Sequence, residues 1–277
     1  MRVLKDVGFV HLHVHSSYSL LEGALKIGDL AKQALGDKQP ALALTDTNNL
    51  FGALEFSEKL AGMGIQPIAG VQLSVMFEEP DPTARTIANT FQNVVLLAQS
   101  EEGYRNLMRL VSRSYFDVPL GDQPRVTAAH LGRYCAGLIA LTGGPTGPLD
   151  AALREGGRSD LAQARLEVLK SAFGSQLYVE IQRHNLDDER RIEPELIALA
   201  DRNGLPLVAT NEPFFAKADD YEAHDALLAI ADGRIVSDDN RRRLSPHHAY
   251  KTRAQMGELF RVLALAAPRW PEPAGFA

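Results

Sequence analysis

Short apolar runs alternate with amphipathic stretches along almost the whole chain. The runs at 8–15, 41–46, 67–76, 94–99, 137–142, 177–182 and 205–210 are rich in Val, Ile and Leu and close on polar or turn residues, as buried strands do. Between them, apolar positions recur at helical spacing over 27–35, 51–61, 101–114, 161–172, 187–203 and 219–231. Helix punctuation agrees with this reading. Asn48-Asn49 open the second stretch, Ser100 stands as an N-cap before Glu101-Glu102, and Gly204 occupies the C′ position after the fifth. The alternation predicts an α/β fold with a parallel sheet covered by helices. This many strands in one chain favours a closed or nearly closed β/α barrel over an open doubly wound sheet, and no G-x-G-x-x-G follows the first strand. One domain over 1–260 is expected. Beyond it, 261–277 reads as an irregular tail or truncation point, with prolines, Trp270 and no helical period. The loop 78–90, with Pro80 and Pro82, reads as a surface excursion.

Candidate chemistry lies where the first strand ends. His11, His13 and His15 alternate, so a strand would project all three from one face, an arrangement suited to a divalent metal. Barrels place functional groups at the C-terminal ends of their strands. Those ends offer His13, His15 and Glu22, then Asp46-Thr47, Gln72, Asn93, Gly143-Gly144, Glu180 and the run Asn211-Glu212-Pro213-Phe214. A multi-metal phosphoesterase needs a ring of His, Asp and Glu to hold two or three cations. This ring begins well and then fails, because threonine, glutamine, asparagine, glycine and phenylalanine are poor ligands or none. Structural roles stand beside the chemical ones. His13 and His15 can hydrogen-bond to Glu22 or Asp46, with His11 structural, and Asp46 can cap a helix. Glu180 is either a barrel-interior acid or a partner of Arg183. Arg241-Arg242-Arg243 reads as a solvated turn, and His184, His224, His247 and His248 as scattered polar contacts.

Charge and cysteine content narrow the field. A formal net charge of -6 and a pI near 5.8 argue against a whole surface that grips a phosphate backbone, so DNA would be met only through a larger assembly. The single cysteine, Cys135, excludes an internal disulfide and fits a reducing cytosol. With no apolar leader and no run of membrane-spanning length, a cytoplasmic protein without membrane contact is expected.

The segments HLHVHSSYSLLEG, ALALTDTNNLFGALEF, GIQPIAGVQLSV, NVVLLAQSEEGYRNLMRL, LYVEIQRH, LPLVATNEPFF and AHDALLAI resemble, in order, the polymerase and histidinol phosphatase (PHP) domain. They are most similar to the version at the N-terminus of the α subunit of bacterial DNA polymerase III, the C-family replicase, rather than to its error-prone relatives. The resemblance spans about 9–260 and implies a distorted (β/α)7, TIM-like barrel. It also implies a ligand set, in which His13 and His15 match two histidines and Glu22 matches an acid. Thr47 then stands for a histidine beside Asp46, Gln72 for a glutamate, Asn93 for a histidine and Gly144 for a cysteine. Glu212 keeps a carboxylate, and Phe214 replaces a histidine. Neutral groups at so many positions leave the repulsion between clustered cations uncompensated, at distances where Coulomb terms reach several kcal/mol. The expectation is a degenerate site with no catalytic residue, holding at most one weak zinc or manganese at His13, His15 and Glu22. No cofactor is required in this chain, and magnesium serves the polymerase active site of the parent enzyme, which lies outside it. Implied partners are the polymerase core (palm and thumb) of the same subunit and the proofreading exonuclease subunit. The competing class is a metal-dependent PHP phosphoesterase or 3′–5′ exonuclease, which the ligand count disfavours.

Overall fold

The computed structural model describes residues 8–77, 91–154 and 156–266. Seven strands form one curled sheet: β1 (Ala41–Leu44), β2 (Gln66–Met76), β3 (Phe91–Ala98), β4 (Val126–Thr127), β5 (Leu138–Leu141), β6 (Leu177–Gln182) and β7 (Leu207–Thr210). The path runs β1-β2-β3-β5-β6-β7, with the two-residue β4 paired to β2. Among the described residues the helices are α1 (Ile27–Gly36), α2 (Ala53–Gly62), α3 (Glu101–Phe116), α4 (Ala128–Arg133), α5 (Pro148–Arg154), α6 (Ser159–Phe173), α7 (Asp187–Asn203), α8 (Tyr221–Ala231) and α9 (Arg253–Ala266). Ser100 accepts the Gly103 N–H at the start of α3, and Gly204 ends α7 in the left-handed region (φ 65°).

Side-chain alternation builds two layers. Val71, Leu73, Val75, Val94, Leu96, Val179 and Ile181 face outward into the main core beneath the helices. Ala43, Ile68, Val95, Leu97, Ile139 and Leu141 face inward and close the barrel floor with Val10 and Leu12. The same inward parity continues upward to Gln72 on β2 and to Glu180 and Gln182 on β6, which therefore arrive at the barrel mouth. The result is an α/β, distorted TIM-like barrel.

Three departures from the sequence expectation concern local geometry. The first expected strand, 8–15, forms no ladder. It is an extended segment that bends at His13 and lies across the gap between the ends of the sheet. His11 O accepts from Ala43 N (2.9 Å) and Val14 O from Thr45 N (2.9 Å) on one side, while His15 N donates to Pro213 O (3.2 Å) on the other. Second, the sheet is mixed: β3 runs antiparallel to both β2 and β5. No crossover helix separates β2 from β3 in the sequence pattern, and only a crossover returns a chain parallel to itself. Third, α9 runs on to Ala266, past position 261, through Leu263, Ala264 and Leu265, all strong helix formers. The expected surface loop 78–90 and the rest of the tail lie outside the described residues. Among the described residues no helix is long and apolar enough to cross a membrane.

Candidate functional site

The bend at His13 breaks the two-residue alternation and splits the histidine triplet. His11 turns away. Its Nε2 lies 2.8 Å from Lys251 O, its ring packs against Phe9 and Tyr250, and burial pushes it down to about 4. His13 and His15 enter the mouth together, ring centroids 5.3 Å apart and both fully buried.

Two carboxylates meet them. Glu180, inward on β6, lies 2.8 Å from His13 Nδ1. Glu212 follows β7 in the left-handed region (φ 47°), a conformation an L-residue adopts at a cost, and its Oε1 lies 3.5 Å from His13 Nε2 and 3.3 Å from His15 Nε2. Glu180 is further satisfied by Gly143 N–H (2.9 Å), by the Gln182 amide (3.0 Å) and by the Thr210 hydroxyl. Burial disfavours the charged imidazole, yet the Glu180 and Glu212 carboxylates outweigh it and raise His13 to about 9. Reciprocally, burial would raise both acids, but the His13 charge prevails; Glu180 is lowered and Glu212 falls to about 2. The chemistry of the centre is thus a buried imidazolium between two carboxylates.

The other positions that the resemblance assigns to ligands make contacts of their own. Gln72 Oε1 accepts from His13 Nε2 at 2.7 Å. The Phe214 ring stacks on His15 with centroids 4.4 Å apart and planes within 6°. Asn93 links Ser74 (3.0 Å) to Thr146 (3.2 Å). Gly144 has φ 56°, and a Cβ there would stand 2.5 Å from the Gln182 amide nitrogen, so the space for a side chain at 144 is already taken. Gln182 was not legible as a site residue; its only signal was sharing a face with Glu180 two positions earlier.

Glu22 does not join His13 and His15. It accepts from the Thr47 hydroxyl (2.6 Å) and pairs with Arg242 (3.4 Å) at the rim. Among the described residues, the ligand atoms that converge within 4.8 Å of one another belong to His13, His15 and Glu212. Asp46 caps no helix; it accepts from Ser16 N (2.7 Å), Ser16 Oγ (2.8 Å) and Ser19 Oγ (2.7 Å), pinning the turn after the histidines. The imidazole partners are therefore Glu180 and Glu212 rather than Glu22 and Asp46. Arg183 pairs with Glu193 (2.5 Å), which leaves Glu180 as the barrel-interior acid. The basic run is not wholly solvated, because the Arg241 side chain is buried against Asp225. His184 is held by Glu189 (2.7 Å) and stacks on His248 at 3.7 Å.

The donor set accommodates one divalent ion, with two imidazoles and a carboxylate as protein ligands. Thr47, Gln72, Asn93, Gly144 and Phe214 bring no anionic or imidazole donor to the same mouth.

The α subunit of DNA polymerase III from Caulobacter vibrioides is 45% identical over 253 residues, covering 91% of this chain and 22% of that protein. The α subunit from Treponema pallidum is 39% identical over 269 residues, covering 96% of this chain and 22% of that protein. The chain thus spans 22% of the length of these curated relatives. Among solved structures, an amidohydrolase from Chromobacterium violaceum is similar at 18% identity with a TM-score of 0.46, covering 73% of this chain and 86% of that one. The family profile of the PHP domain matches residues 11–184, from the histidine segment to the end of β6. On that match, which takes in His13, His15 and Glu180, the chain belongs to the PHP domain family.

Proposed function

We propose that this chain is the N-terminal PHP domain of a replicative, cytoplasmic DNA polymerase III α subunit and acts there as a scaffold. In this reading its former metal site has become a packed, proton-charged core. Nucleotidyl transfer, with its magnesium, belongs to the polymerase core of the same subunit, and DNA is met only through that enzyme. The domain supports the palm and thumb and offers a docking face to the separate proofreading exonuclease. The observation that carries the reading is the donor set at the mouth. Five of the positions that the family resemblance assigns to ligands are occupied by Thr47, Gln72, Asn93, Gly144 and Phe214, and two of these touch the histidines themselves: Gln72 bonds His13 and Phe214 stacks on His15. One zinc or manganese held weakly by His13, His15 and Glu212 is compatible with it, because those three ligand atoms converge; Glu22 would be an outer neighbour.

Metal content measured by mass spectrometry after incubation with zinc or manganese, alongside a 3′–5′ exonuclease assay, tests the reading. At most one ion per chain and no nuclease activity are expected. Two or more ions per chain, with nuclease activity abolished by His13→Ala, would restore the phosphoesterase alternative. Capture of the cognate exonuclease subunit at low salt tests the docking role, and no detectable capture would refute it.

A further inference from the structure

His13 and His15 are fully buried, so an ion held by them and Glu212 has to pass through a cover to reach them. Their hydrogen-bonding and stacking partners show where that cover is thin. Ser19, Gln72, Glu180, Gln182, Glu212 and Phe214 are themselves buried, whereas Thr47 is half-buried. Its Oγ1 lies 3.5 Å from His15 Nδ1 and accepts from the Gln72 amide at 3.5 Å. Outward, the same hydroxyl donates to Glu22 Oε2 at 2.6 Å, and Glu22 Oε1 lies 3.4 Å from Arg242 Nη1. Side-chain exposure climbs along this line, from none at the histidines to 27% at Glu22 and 44% at Arg242.

The line is a file of oxygens. The Glu22 carboxylate, the Thr47 hydroxyl and Gln72 Oε1 step inward to within 2.7 Å of His13 Nε2, and oxygen donors of this kind suit divalent cations. At its outer end stands a positive charge. Arg242 is built to be movable. Its neighbour Arg241 is buried and bonded to both carboxylate oxygens of Asp225, which anchors the chain at this point. The bonds of Arg242 itself are long and exposed, 3.4 Å to Glu22 and 3.3 Å to Asp232, and such pairs hold weakly. Asp232 keeps one side of the guanidinium when the other leaves Glu22. That short swing changes the rim from a cationic barrier to an anionic entry, and a local field of that sign speeds cation arrival by about tenfold or more.

We propose that Arg242 gates the His13, His15 and Glu212 site. Seated on both Glu22 and Asp232 it bars divalent cations from the oxygen file, and on Asp232 alone it leaves Glu22 free to receive them. The proposal rests on the reading above of one weakly held ion, and adds what controls its entry.

The test follows zinc uptake by the metal-free 277-residue chain in stopped flow, with a chromogenic indicator reporting free zinc. Arg242→Gln removes the charge, and uptake should quicken at least fivefold. Arg242→Lys keeps the charge and should stay within twofold of wild type, which a merely loosened turn would not do. Glu22→Gln, added to R242Q, removes the receiving carboxylate and should slow uptake at least threefold. Imidazole signals of His13 and His15, followed by NMR in R242Q, should shift with zinc and so locate the ion without altering the buried donors. Uptake in R242Q no faster than wild type, no uptake by either, R242K as fast as R242Q, or unshifted imidazoles would overturn the gate. The two readings fail separately. Two or more ions per chain with nuclease activity would refute the scaffold whatever the rates, and unchanged rates at one ion per chain would refute the gate alone.

Discussion

His13 carries the charge that organises the mouth, and its protonation ties stability to pH. Its value rises from 6.5 to about 9 on folding, which corresponds to about 3 kcal/mol of coupling between proton and fold. Because the folded value lies above the unfolded one, this stabilisation is fully present below pH 6.5 and is lost as the pH climbs through about 9. Glu212 behaves oppositely: lowered to about 2, its contribution is present above its ordinary 4.5 and is lost as the pH falls through about 2. The two shifts describe one interaction seen from its two ends and are not summed. Lys251, which burial lowers to about 8, gains stability over part of the same alkaline range, so the wild-type curve alone is ambiguous. The difference between wild type and His13→Gln isolates the histidine. That difference, measured by urea unfolding, should shrink by about 3 kcal/mol between pH 6 and 9.5, and a constant difference would refute the buried imidazolium. A second residue-scale test concerns Gly144. An alanine there must hold a left-handed backbone, at about 1–2 kcal/mol, and must displace the Gln182 amide. Gly144→Ala should therefore destabilise, and Gln182→Ala should recover part of the loss in a double-mutant cycle, with coupling above about 0.5 kcal/mol. Additivity would mean that the two do not compete for the same space. His13 and His15 were legible from spacing alone. Their partners were not, since Glu180 and Glu212 lie 167 and 197 positions away and meet them only through the fold.

At the scale of elements, hydrophobic period located most strands and helices because each buries one face against a neighbour. It failed where hydrogen bonding, and not burial, decides the state. The segment 8–15 has strand-like alternation, yet its backbone bonds are divided between β1 and the turn after β7, so it bends and sends His11 outward. Strand direction was equally illegible, since β-period is the same in parallel and antiparallel pairing. Helix α3 shows the converse, a residue that looks wrong locally and is required globally. Gly103 stands in the first turn of a helix, where alanine would be favoured by about 1 kcal/mol. A Cβ at that position would lie 1.9 Å from Gly137 O, at the entry to β5. Backbone cannot yield as a side chain does, so Gly103→Ala should destabilise by about 1–3 kcal/mol net despite its better propensity. Thermal unfolding decides this. A rise in melting temperature would show that α3 and the β5 entry part without penalty.

For the molecule as a whole, the proposed scaffold reading has the charge of bound divalent ions replaced by a proton on His13 and by amides that need no counter-charge. The exchange explains why single reversions should not recover a cluster. The Gly144 slot is filled by Gln182, the Phe214 ring lies on His15, and Asn93 joins Ser74 to Thr146, so each ligand position now has a packing partner. Gln72 is the exception, because its Oε1 already points at the centre, 2.7 Å from His13 Nε2. Gln72→Glu keeps that shape and adds a fourth donor beside His13, His15 and Glu212. Without metal the new carboxylate lies near Glu212, which is itself 3.5 Å from the same nitrogen, so the variant should melt below wild type. With zinc the order should reverse. Binding to the native state alone stabilises by about 2.7 kcal/mol when the ion stands at a hundred times its dissociation constant, and a four-donor site reaches that ratio at lower zinc. The expected result is a zinc-dependent rise in melting temperature that is larger in Q72E than in wild type and is abolished by chelation. Equal shifts in the two proteins would mean that the mouth is closed to ions by its packing and not by its lack of charge.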